Sequence, residues 1–345
     1  MAAGGTAQSR PEVRIDRSDV GRRVSVRRIS EFVDDRPVFR DVIGVLTSWD
    51  DPGLLTVVPR SGEPVSFPEN ALVAGKAVPL FPARRAPLPR TGVVELQRIA
   101  ARGWPAVEQE PLGAWTLRAS AGFTRRANSV QALGDPGLPL PQALEAVRDW
   151  YARRALPAWF EVTVPGSPDD LAAELERLGA VYSPTLVRTA PLAPLARLGG
   201  RPGAPPADAW RGVRLSRGAG PAWMSLYRRV TGEPEVEEAA RRVLHGGPSV
   251  WFATVPGPDG APAAIGRCVI DGEWACFGAV EVAPAARRRG LATALMAVLA
   301  ARAAEEGATG GYLQVEAENE NAIALYDGLG FTTSHTYHYA RLPQR

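Results

Sequence analysis

The sequence predicts an α/β fold with a mixed central sheet, built as two similar halves behind a small all-β module. Three observations predict it. An apolar strand ending at Val282 runs through a basic, glycine-containing loop into an apolar helix, then a strand, a loop and a second helix. Residues 93–192 repeat that strand–helix alternation, and residues 13–81 hold short β segments broken by turn residues. Alternating strands and helices build a layered α/β sheet, whereas closely spaced short strands build a small barrel or sandwich.

Taken in order, residues 1–11 have the polar, glycine-rich look of a disordered tail. Strands are predicted over Arg22–Ile29, Val38–Ser48, Leu54–Arg60 and Pro64–Phe67, separated at Asp34-Asp35, Asp50-Asp51-Pro52-Gly53 and Ser61-Gly62. That strand count and length fit a bent SH3-like barrel over 12–82. Pro79 through Pro89 then reads as a stiff linker. In 92–192, strands are expected at Gly113–Ser120, Ser129–Leu133 and Trp159–Val164. Helices are expected at Pro141–Arg154 and Asp169–Leu178. A second linker, Pro191 to Ala209, leads to a domain over 212–345. There the helix Thr293–Glu306 precedes the strand Tyr312–Val315 and the helix Ala322–Tyr326, which stops at Gly330-Phe331. Trp150 to Val164 parallels Leu299 to Val315, and Leu178-Gly179-Ala180 parallels Leu329-Gly330-Phe331, a weak internal repeat.

The chemistry concentrates at Arg287-Arg288-Arg289-Gly290-Leu291-Ala292. A helix N-terminus carries unpaired N–H groups and the positive end of the helix dipole, so it can seat a phosphate. Gly290 lets the backbone approach closely, and three arginines can add charge-assisted contacts. The first half has Asp135-Pro136-Gly137-Leu138-Pro139-Leu140 before its helix instead. Pro139 removes a donor and Asp135 repels an anion, so that half is not expected to bind a phosphate. Its polar run Phe123-Thr124-Arg125-Arg126-Ala127-Asn128 reads as an exposed strand connection, or as a contact to polar substrate.

These residues resemble the GCN5-related N-acetyltransferase (GNAT) family. Its cofactor motif, Gln/Arg-x-x-Gly-x-Gly/Ala, is matched by Arg287 through Ala292. Its later motif is matched at every position by Val315, Asn319, Ala322, Leu325, Tyr326, Gly330 and Phe331. The resemblance covers roughly 212–345 and makes the first half a degenerate GNAT-like domain. It implies a sheet whose middle strands splay apart, with the pantetheine arm of acetyl-CoA bonded to the Val282 backbone. It places the pyrophosphate on the amides from Arg288 to Thr293, with Arg287, Arg289, Leu291 and Ala292 in the cradle. It implies acetyl transfer to an amine by direct attack through a tetrahedral intermediate. Tyr326 occupies the family's general-acid position, though a core tyrosine would fit the same helix. Asn319 is expected to orient the cofactor or to cap the helix. Glu281, beside the splay, ranks ahead of Glu316 and Glu318 as general base. Residues 205–345 alone are expected to hold the cofactor.

Composition bounds the rest. A net charge of +3 over 345 residues does not suit a dedicated nucleic-acid binder, and Lys76 is the only lysine. Cys268 and Cys276 read as buried reduced thiols, and three histidines at scattered positions offer no metal-ligand spacing. The N-terminus lacks a signal-peptide core, so a cytoplasmic protein without membrane contact is expected. The expected partner is a small-molecule or peptide amine, and the chain a monomer or homodimer. Two other readings stand beside the enzyme. One is an acyl-CoA sensor that docks a partner through the barrel. The other is nucleic-acid binding through Arg22, Arg23, Arg27 and Arg28.

Overall fold

The computed structural model describes residues 13–34, 36–59, 62–78, 88–178, 184–198, 210, 212–227, 229–230, 232–257 and 260–343. The N-terminal tail, residues 79–87 of the first linker and 199–209 of the second lie outside the described residues. The chain divides into two compact units, Met1–Arg84 and Arg85–Arg345.

The first unit is one six-stranded sheet: β1 Val13–Arg14, β2 Arg23–Val33, β3 Arg36–Asp50, β4 Leu54–Pro59, β5 Val65–Pro68 and β6 Leu72–Ala77. The strand order is β1-β6-β2-β3-β4-β5, antiparallel except for β1 with β6. Period-two alternation puts Val24, Val26, Leu55, Val57 and Phe67 into a single apolar core with Ile15 and Leu46. The sheet is all-β, as expected; its end strands, β1 and β5, are not paired with each other among the described residues. Arg27 is held by Asp41 through two 2.8 Å bonds, and Arg22 by Asp19 at 3.0 Å. Arg28 stacks its guanidinium 5.5 Å from the Phe67 ring centroid. Arg22, Arg27 and Arg28 are thus engaged within the module.

The second unit begins with α1 Val93–Gly103, β7 Glu108–Leu112, β8 Trp115–Ala119, β9 Val130–Gln131, α2 Leu140–Ala152, β10 Trp159–Val164, α3 Asp169–Leu178, β11 Thr185–Pro191 and α4 Leu192–Ala196. It continues with β12 Arg214–Ser216, α5 Pro221–Leu226, α6 Pro234–His245, β13 Ser249–Pro256, β14 Pro262–Asp271, β15 Trp274–Val282, α7 Leu291–Glu305, β16 Gly310–Glu316, α8 Glu320–Gly328 and β17 Thr332–Arg341. The start of the second linker is therefore structured: Leu192 and Leu195 of α4 are buried in the same core as α7.

All eleven strands share one sheet, ordered β12-β13-β14-β15-β16-β11-β17-β10-β9-β8-β7. The order shows what the weak repeat means. β8, β9, β10 and β11 of the first half correspond to β14, β15, β16 and β17 of the second, each set starting antiparallel and passing through one parallel pair. The last strand of each half is then exchanged: β11 lies against β16, β17 against β10, and β11 and β17 pair at the centre. Arg188 of β11 seals the exchange, donating to the carboxylate of Asp327 and to the carbonyl of Phe331. Two further cores mix the halves. Leu96 and Ile99 pack with Trp274, Tyr312 and Tyr337, and Trp104 and Phe123 pack with Trp223, Tyr227 and Phe252. No helix among the described residues is long and apolar enough to cross a membrane.

Candidate active site

The parallel pairing of β15 with β16 runs from Trp274–Gly310 to Phe277–Leu313 and stops. Both strands continue, β15 to Val282 and β16 to Glu316. A bulge explains the divergence. The ladder between β14 and β15 slips between Ile265 and Arg267, and Ala279 sits at φ +50°, so the extra residue turns β15 away from β16. The gap beside Gly278 is open: a Cβ there would meet no heavy atom within 4 Å. The expected splay is present.

Beyond Val282, a short 3-10 turn at Pro284–Ala286 leads to the arginine loop. Arg287 is extended, Arg288 has φ +62° and Gly290 has φ +73°. Gly290 is the N-cap of α7 and no side chain caps that helix. Among the described hydrogen bonds, none uses the amides of Arg288 to Thr293 as donors. Six consecutive N–H groups are therefore free at the positive end of a fifteen-residue helix. Arg287, Arg288 and Arg289 are exposed around it, and Arg287 Nε lies 3.5 Å from the Val282 carbonyl. The helix itself is apolar on nearly every face and is buried by β13, β14 and β15, which fixes its N-terminus at the mouth of the splay.

A cleft of about 340 Å³ opens at the splay. Glu281, Tyr326 and Asn319 all line it; Val282 and Arg287–Thr293 lie outside its lining, on the loop side. Tyr326, on α8, is half-buried with its ring 6.0 Å from that of Phe331. Burial pushes its hydroxyl above the ordinary phenol range, with Arg229 opposing, so it stays protonated at neutral pH. Asn319 is the N-cap of α8 and accepts from the Ala322 amide at 3.1 Å, so the capping role is realised. Glu281 is half-buried, with Oε1 3.9 Å from Arg229 Nε. Glu316 lines the cleft but is exposed and lies 3.6 Å from Arg125; Glu318 is exposed and is not in the lining. Cys276 lines the floor, and burial raises its thiol above the ordinary range; both cysteines are free.

The run Phe123–Asn128 is not an exposed connection. Phe123 and Ala127 are buried, Arg125–Ala127 form a 3-10 turn, and Thr124, Arg125 and Arg126 line the cleft. Asn128 builds the turn by accepting from the Ser120 and Gly122 amides and donating to the carbonyls of Phe123 and Thr124. Trp104, Tyr227 and Tyr337 complete that wall. Nothing in local sequence marks Trp104 or Tyr227. The alternation of Tyr337 and Tyr339 on the last strand marks one face, but not which cleft that face meets.

In the first half, the helix corresponding to α7 is α2, whose N-cap is Pro139 and which no side chain caps. The loop before it folds on itself, with the Gly137 amide donating to Asp135 Oδ1 at 2.7 Å. A carboxylate stands there in place of an anion site.

Comparison with known proteins agrees with this geometry. The model of a family described as the C-terminal part of the probable histone acetyltransferase Rv0428c matches residues 91–340. The chain is 28% identical over 255 residues to YobR of Bacillus subtilis, named an uncharacterized N-acetyltransferase, covering 71% of this chain and 96% of that protein. It is 27% identical over 323 residues to Rv0428c of Mycobacterium tuberculosis, named a probable histone acetyltransferase, covering 93% and 94%. A solved structure from Staphylococcus epidermidis, of a conserved protein of unknown function, shares the fold at TM-score 0.50 and 9% identity. It covers 70% of this chain and 96% of its own. The family match spans well over half of the chain, which therefore belongs to the Rv0428c C-terminal acetyltransferase family and is a GCN5-related N-acetyltransferase.

Proposed function

We propose that the protein moves an acetyl group from acetyl-CoA to a primary amine, and that one site at the β15–β16 splay does so. The observation that carries this reading is the alignment of an open strand edge with an uncapped helix N-terminus. The amides of Arg288 to Thr293 would hold the pyrophosphate, with Arg287 and Arg289 beside it. The backbone of β15 from Gly278 to Val282, freed of β16, can hydrogen-bond the pantetheine amides as a neighbouring strand would. Acetyl-CoA supplies an activated acyl thioester at the inner end of that arm. Glu281, directly or through a water, takes the proton of the amine, whose nitrogen then forms the new C–N bond. Tyr326 gives its proton to the sulfur as the C–S bond breaks. No acyl-enzyme is required, because donor and acceptor meet in one cleft.

Gly290→Glu places a carboxylate and a strained backbone where the phosphates sit. Calorimetry should show saturable acetyl-CoA binding in the wild type and a loss of about 100-fold, ~2.7 kcal/mol, in that variant. Tyr326→Phe should lower kcat by about 10²-fold while leaving acetyl-CoA affinity within about twofold. Unchanged affinity in the first variant would overturn the cradle, and unchanged turnover in the second would remove the acid.

A further inference from the structure

The wall built by the first half carries a charge that no ion pair among the described residues neutralises. Arg126 lines the cleft, half-buried, with its guanidinium 5.6 Å from the Trp104 ring centroid. Its one hydrogen-bond contact among the described residues, from Nη2 to the Tyr337 hydroxyl, is long at 3.5 Å. Its Nε is buried without an acceptor, and among the described ion pairs none includes it. The neighbouring arginines differ. Arg125 lies 3.6 Å from Glu316 and Arg229 lies 3.9 Å from Glu281. Arg267, fully buried, donates to the carbonyls of Gly103, Leu244 and Gly246. A guanidinium does not shed its proton, so Arg126 must bear its burial as a charge.

A second buried donor faces the same cavity. The Tyr227 hydroxyl has no hydrogen-bond partner among the described residues, and Arg126 is near enough for its charge to act on it. Burial pushes that phenol up to about 12, so it is a donor throughout the physiological range. Buried polar groups left unpaired are rare, and two converging on one cavity point to an anionic acceptor supplied by the substrate. A planar carboxylate matches the guanidinium fork. The cavity, about 340 Å³ and walled by Trp104, Tyr337 and Tyr339, suits a small molecule with an apolar body.

We propose that the acceptor is a small amine bearing a carboxylate, an amino acid or close analogue, and that Arg126 and Tyr227 bind that carboxylate while the amine meets Glu281. This rests on the acetyl-transfer reading above and adds its substrate class. It makes Arg126 a specificity residue contributed by the half that binds no cofactor. It also disfavours lysines of basic peptides, which would bring more positive charge to a cleft whose three lining arginines, Arg125, Arg126 and Arg229, outnumber its two carboxylates, Glu281 and Glu316.

The test uses the full chain with acetyl-CoA and follows thiol release. The acceptors are amino acids, their amides, their decarboxylated amines and lysine-containing basic peptides. At least one amino acid should exceed its own amide and amine in kcat/KM by about tenfold or more, mostly through KM. Arg126→Ala and Arg126→Met should abolish that preference, and Arg126→Lys should restore part of it. The neutral amines should lose far less kcat/KM than the amino acid in these variants, and acetyl-CoA affinity should stay within about twofold. A melting curve identifies any variant that fails to fold; Arg126→Met should melt no lower than wild type, since it removes an unpaired buried charge. Equal use of acid and amide, preference for the basic peptides, or no acceptor from the panel despite acetyl-CoA binding would overturn the proposal. So would an equal loss for every acceptor in the Arg126 variants. Absence of acetyl-CoA binding to the wild type would overturn the acetyl-transfer reading itself, and this proposal with it.

Discussion

At the scale of single residues, buried polar groups of both halves join in one network. Arg118 and Glu161 pair at 2.9 Å in the interior, and Gln97 and Gln131 bring Glu161 two more donors. His335 joins the edge of this network, with Nε2 3.2 Å from Gln97 Oε1. Burial lowers the His335 pKa from 6.5 to about 4, against the pull of Glu161. The imidazole is thus neutral when folded and protonates first in the unfolded chain. Between those two pH values the unfolded state binds more protons, so stability falls as pH drops from about 6.5 towards 4, by at most about 3 kcal/mol. Urea unfolding at about pH 7, 5.5 and 4.5 should show this loss in the wild type and a flatter profile in His335→Gln. Parallel profiles would assign the acid sensitivity to other groups.

At the scale of elements, the site is made by where secondary structure starts and stops. The bulge at Ala279 ends the pairing of β15 with β16, and Gly290 starts α7 with its amides open. On the other side of the cleft, Asn319 starts α8 and so aims Tyr326. Asn319→Ala should destabilise the protein by about 1 kcal/mol, and Asn319→Ser, which can still cap, should recover most of that. If the cap is its whole role, acetyl-CoA affinity should not change in Asn319→Ser; a drop there with stability intact would show a direct contact to the cofactor. The sequence carried these elements well where a motif or a turn residue marked them. Asp169–Leu178 and Trp159–Val164 have the bounds read from pattern alone, and Leu291–Glu305 differs from its expected span by a residue or two. The strand expected over Ser129–Leu133 is present but shorter, as β9 Val130–Gln131, whereas β7, Glu108–Leu112, was not legible: it is a mostly exposed edge strand with no apolar alternation to betray it.

At the scale of the whole molecule, the exchange of β11 and β17 decides how the second unit can be divided. Without residues 85–204, β16 loses its partner β11, β17 loses both neighbours, and the cores around Leu96 and Trp104 lose one side. Residues 205–345 should therefore show no cooperative unfolding by circular dichroism, whereas residues 85–345 should. A cooperative, cofactor-binding 205–345 fragment would show that the exchanged strands are dispensable. The chain's own order of residues determined the arginine–glycine loop, the Asn319–Tyr326 helix and the α/β class, because local amide geometry and side-chain periodicity are properties of neighbours in sequence. Only the tertiary structure decided that Thr124–Arg126, Trp104 and Tyr227 face the same cleft as Tyr326. Those residues meet through strand pairings between positions more than a hundred residues apart, as with Thr185 and Tyr337. Such pairings depend on the topology of the sheet, which no local pattern in the sequence specifies.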